Sequence, residues 1–227
     1  MTTPALRAPA APPAAAPRRG TARTVAIAAT AGLLAGAVTS FAQTVLPDPV
    51  AGLANAVTPW LVAPFLVGAL GSARRWGAVL GVLACALQVV GYYATAAARG
   101  FGVNPGTVGF WLVCALVGGA VAGAAGWSWW RSGEPAAATG SGAVHGWERG
   151  LGAALLVAAW LAEALVSYGY VLGYVDDAVT FAVVGLLAAV LLARRGPQAR
   201  AVLRWLAPAL AAGCVGFAAL HALGGAA

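Results

Sequence analysis

Glu163 is the residue whose position most demands a chemical explanation. It lies thirteen residues into an apolar run extending from Gly150 to Leu172. On a helix this is roughly 20 Å from where the run starts, near the middle of a bilayer. A carboxylate at that depth needs a cavity, a counter-charge or a hydrogen-bonding partner. It suits three chemistries: proton donation in acid catalysis, proton coupling in transport, or anchoring a ligand. The structural alternative is a carboxyl that ties two helices together. Helical spacing sets Trp160, Ser167, Tyr170 and Tyr174 on its face.

Other polar side chains gather in the same half of the apolar segments. Gln88 lies at similar depth, in a stripe with Cys85, Tyr92 and Thr95, and Gln43 follows Thr39 and Ser40. Asn55 and Thr58 precede Pro59, Trp60 and Pro64, and two prolines so close kink or break a membrane helix and free its carbonyls. Together these residues predict an outward-facing, aromatic-rimmed cavity. Glu163 and Gln88 form its floor, and Gln43, Asn55, Trp60, Tyr92, Trp160 and Tyr170 contact a ligand. Arg99, beside Gly100 and Phe101, either captures an anionic group or pairs with Asp176 or Asp177. The alternative is interhelical hydrogen bonding with a belt of tyrosines.

Composition limits the rest. The chain has 227 residues, 61% of them hydrophobic and 8% charged, with mean hydropathy +0.85. A soluble domain carries about 25% charged residues, so this is a multi-span membrane chain. All thirteen basic residues are Arg, which removes every lysine-based chemistry, Schiff bases and P-loops included. Net charge is +7, but the arginines flank apolar runs as topology signals, and no nucleic-acid partner is expected. Cys85, Cys114 and Cys214 stand alone in apolar runs, far from His145 and His221. No metal site and no cofactor are expected, and the cysteines read as inert core residues.

The elements that must position these residues are about seven transmembrane helices in an all-α bundle. They run over Thr24–Leu46, Ala51–Gly71, Trp76–Ala98, Thr107–Trp127, Gly150–Leu172, Asp177–Ala193 and Ala201–Leu223. Residues 1–23 read as a disordered cytoplasmic tail, 24–127 as helices one to four, 128–149 as a cytoplasmic loop and 150–224 as helices five to seven. Twelve arginines fall at the inner ends and only Arg99 at the outer ones. This places the N-terminus in the cytoplasm and the C-terminus outside a bacterial inner membrane. A cleaved signal peptide ending near Ser40-Phe41-Ala42 is the competing reading of the first run. An offset of 120 aligns Gly32 with Gly152, Gln43 with Glu163 and Arg74-Arg75 with Arg194-Arg195, which admits a three-plus-one-plus-three parallel repeat. Small-xxx-small pairs at Gly32/Gly36 and Gly119/Gly123 allow close helix packing within the chain or between copies of it in a homo-oligomer.

The run Asn55-Ala-Val-Thr-Pro-Trp60, with Gly91-Tyr-Tyr93, Arg99-Gly-Phe-Gly-Val-Asn-Pro105 and Phe110-Trp111, resembles a family of small actinobacterial multi-pass proteins of unknown function. The resemblance covers most of the membrane part and implies no activity. Three functions remain open. One is a small permease or binding protein for an amphipathic solute, with Glu163 as its intramembrane site. The second is an enzyme acting on a lipid or isoprenoid by acid catalysis, in the manner of a membrane terpene cyclase. The third is a non-catalytic subunit of a membrane complex.

Overall fold

The computed structural model describes residues 19–48, 50–134, 144–196 and 198–224. Most of the expected N-terminal tail and the middle of the 128–149 loop lie outside the described residues. Among the described residues there are seven α-helices: α1 (Arg19–Val45), α2 (Thr58–Gly68), α3 (Arg74–Ala98), α4 (Pro105–Ser132), α5 (Leu151–Ala162), α6 (Val175–Ala193) and α7 (Ala199–Gly224). A π-helical stretch, Glu163–Leu172, continues α5. Six helical segments among the described residues are long and apolar enough to cross a bilayer, α5 counting with its extension. The chain is an integral, multi-pass membrane protein.

The second expected helix is the exception. Over Ala51–Gly71 the chain forms a short 3-10 turn (Val50–Ala54), a non-helical link, and an α2 of only 11 residues. At 1.5 Å per residue α2 covers about 16 Å, half of a hydrocarbon core. Pro59 is the cause at its start: proline fits the first turn because its missing N–H would be free there anyway. Pro64 lies inside α2 and withholds a further donor. The hydropathy of this stretch is continuous, but its backbone is broken.

Glycine sets the packing. On α3, Gly77 and Gly81 sit against the backbone of Gly119 and Gly123 on α4. Gly32 and Gly36 of α1 likewise sit against Ala84 and Gln88 of α3. A Cβ at any of these positions would enter a neighbouring helix backbone, so only glycine permits the approach. These small faces are therefore used inside the bundle. The same contacts show α1 running parallel to α3, while α5 and α7 are parallel through Gly150 against Ala201 and Gly213 against Ala162. Helix α5 is the most buried, with Ala153, Ala154, Val157 and Ala158 closed off at its centre.

The two ends of the bundle differ. At one end Arg74 donates to the buried Glu148 and lies over Trp127, Arg195 stacks on Trp130, and Arg204 donates to the Trp147 carbonyl at 2.8 Å. At the opposite end Arg99 ties α3 to α1, donating to the Ser40 carbonyl and to Thr44 Oγ1 (2.6 Å) while lying over Phe41 and Phe101. Among the described residues Arg99 makes no ion pair with Asp176 or Asp177; its guanidinium faces α1 instead.

Candidate functional site

The broken second segment carries backbone polar groups into a layer where water cannot satisfy them. Three side chains from other elements take up that role. Glu163 accepts from Val57 N through Oε1 and from Thr58 N through Oε2, each at 2.7 Å. Gln43 Nε2 donates to the Ala54 carbonyl at 3.3 Å, and Tyr168 Oη donates to the Gly52 carbonyl at 3.0 Å. Tyr92 Oη donates to Gln43 Oε1 and so fixes the amide.

Helix α2 has no cap of its own: Val57 stands at the N-cap and has no side-chain acceptor. The donors nearest its start are Val57 N and Thr58 N, since Pro59 has none and Trp60 N already bonds to the Val57 carbonyl. Glu163 supplies the missing acceptor from a distant helix, at the positive end of the α2 dipole where a carboxyl group is favoured. It is 3% exposed, and both oxygens are engaged with backbone.

Beside this junction lies a cavity of about 570 Å³, a size typical of small-molecule sites. Its floor is the chain from Ala54 to Leu61, and its walls come from α3, α4, α5 and α7. Gln43, Asn55, Trp60 and Tyr92 form a polar corner, in which Trp60 packs on Tyr92 with ring centroids 5.6 Å apart. The remaining lining is mostly apolar and includes Cys85 and Cys114, and none of the lining residues is Arg, Asp, Glu or His. On the outside the cavity opens between α4 and α7, where lining residues Val117 and Val121 are exposed and a Cβ on Gly216 would meet nothing.

The structure therefore brings four of the expected site residues together and sets the other five elsewhere. Glu163 stands behind the floor, facing the backbone of Val57 and Thr58. Gln88 is buried against α1, beneath Gly36, and its Oε1 has no partner among the described residues. Trp160 packs on Phe181 of α6 at 5.4 Å. Tyr170 is 85% exposed, and Arg99 is held by α1. The π turn explains Tyr170: widening the helix from Glu163 onward moves the buried face to Ser167 and Tyr168 and turns Tyr170 outward, while Tyr174 lies past the helix end at Gly173.

Sequence reasoning missed three features. Cys85, a buried core residue, and Cys114 also line the cavity. His221 Nε2 lies 2.8 Å from Ser167 Oγ, joining α7 to the π segment. Glu148, in the loop, is the buried partner of Arg74. Periodicity carries no signal for the last two, since each pairs residues more than fifty positions apart.

A family model described as a family of unknown function (DUF6518) matches residues 15–224, and the chain belongs to that family. No curated protein and no solved structure matches the chain.

Proposed function

We propose that this DUF6518 protein is a membrane-embedded binding protein for an amphipathic molecule drawn from the surrounding lipid. The observation that carries this reading is the cavity, apolar along most of its wall, with a polar corner at Gln43, Asn55, Trp60 and Tyr92 and with exposed lining residues Val117 and Val121 on α4 and Gly216 on α7. A molecule with a chain and a small head fits such a space, with the head at the corner and the chain among Leu155, Ala209 and Phe217. Glu163 is the positioning residue: it holds the segment that carries Asn55 and Trp60, and it is neither the acid of an enzyme nor a ligand anchor.

Binding is favoured over transport by the packing toward the arginine-rich end. There Gly68, Gly77, Gly81, Gly123 and Gly126 bring α2, α3 and α4 into backbone contact, and a solute path would have to part them. We place that end in the cytoplasm, because arginine-rich ends stay inside, and the C-terminus outside in a bacterial inner membrane. The parallel pairs α1–α3 and α5–α7 support reading the chain as two three-segment units joined by α4.

Native mass spectrometry of gently purified protein tests the proposal. One amphiphile species should stay bound to the parent and be lost from Gly216→Phe, which adds bulk at a lining residue where a Cβ meets nothing within 4 Å. Identical adducts in both proteins, or bulk phospholipid alone in the parent, would sink it.

A further inference from the structure

We infer that the cavity takes an uncharged amphiphile with a small oxygen head, of the class of long-chain alcohols and quinones. This rests on the cavity being a binding site and adds the chemistry of its occupant. Three observations carry it.

The first is the absence of any Arg, Asp, Glu or His among the lining residues. A charged head would lie in a low-dielectric layer with no counter-ion. The second is that two features able to attract an anion already have partners. The positive end of α2 would otherwise attract a carboxylate or phosphate, but Glu163 occupies Val57 N and Thr58 N. Arg99, the cation at the other end of α3, is bound by Ser40 and Thr44. The third is the corner itself. Tyr92 and Gln43 are bonded to each other and Gln43 to the Ala54 carbonyl. Asn55 lines the cavity exposed and makes no side-chain hydrogen bond among the described residues. A free amide in a membrane cavity offers one acceptor and two donors, which match a hydroxyl or carbonyl.

The test uses the full chain in lipid nanodiscs and three probes of equal chain length, each brominated on the chain close to the head group. One is a primary alcohol, one a carboxylate held ionised at alkaline pH, and one a trimethylammonium salt. Bromine quenches Trp60 and Trp111 in the cavity, and the probes are compared at equal mole fraction in the bilayer. The alcohol should quench saturably, with the two ions weaker by about tenfold or more. Asn55→Leu should weaken the alcohol by about threefold to tenfold and leave the ions unchanged. Gly216→Phe gives the non-specific background. Equal saturable binding of alcohol and ions, abolished in Gly216→Phe, would overturn the neutral-head inference and leave the cavity reading standing. Quenching that is identical in parent and Gly216→Phe for all three probes would overturn both.

Discussion

Replacing Glu163 separates a helix cap from a proton-handling residue. Glu163→Gln keeps one acceptor oxygen but sets an NH2 group against a second backbone donor, so one of two charge-assisted hydrogen bonds at 2.7 Å is lost. Such a bond contributes about 1.5–3 kcal/mol net, and the orphaned N–H adds a desolvation penalty of similar size. Removing a buried charge returns part of this, because the carboxylate no longer has to be held away from water. The expected net loss for Glu163→Gln is about 2 kcal/mol, and for Glu163→Ala, which orphans both donors and leaves a void, about 4 kcal/mol. Equilibrium unfolding in mixed micelles reads the first quantity. Hydrogen exchange by mass spectrometry reads its location: peptides covering Val57 to Trp60 should lose protection in both variants, while those in α4 keep theirs. If Glu163→Gln unfolds like the parent with those amides still protected, yet changes ligand binding or its pH dependence, the cap assignment is wrong and Glu163 works as a titrating group.

Three further perturbations probe the rest of the architecture. Gly123→Ala drives a Cβ into the backbone of Gly77 and Gly81 and should cost about 2–4 kcal/mol in the same unfolding assay. Gly216→Ala meets open space and should be neutral or stabilising by up to about 1 kcal/mol from helix propensity; equal losses in the two variants would refute the packing argument. At the arginine-rich end the pair is asymmetric, the Arg74 side chain being 48% exposed and that of Glu148 6%. Arg74→Ala, which strands a buried carboxylate, should therefore lower the melting temperature more than Glu148→Ala, and the reverse order would count against the pair. A C-terminal alkaline phosphatase fusion should be active, as expected for an end outside the cytoplasm, and an inactive fusion would reverse the proposed orientation.

The long helices were legible because apolar runs bounded by Arg, Gly and Pro have one solution in a bilayer. The second segment was not, because hydropathy counts side chains while the break concerns backbone. Pro59 and Pro64 marked the place, but two further facts turn a kink into a half-helix. A start at Thr58 has only Val57 before it, which cannot cap, and the donors there must still find an acceptor. A mid-membrane carboxylate such as Glu163 needs a partner, and in the structure that partner is peptide N–H, which no side-chain pattern encodes. A helix start without a cap and a lone mid-membrane carboxylate are each incomplete, and each supplies what the other lacks. The same reasoning explains the site residues. Gln43, Asn55, Trp60 and Tyr92 share the cavity because Asn55 and Trp60 belong to the broken segment, Gln43 hydrogen-bonds to it and Tyr92 hydrogen-bonds to Gln43. Trp160 and Tyr170 were placed by α-helical spacing from Glu163, and that spacing holds toward Trp160 but ends at Glu163, where the turn widens. Even Trp160, on the correct helix, faces Phe181 rather than the cavity, because helix spacing fixes which residues share a face and leaves the neighbour across from that face to tertiary packing.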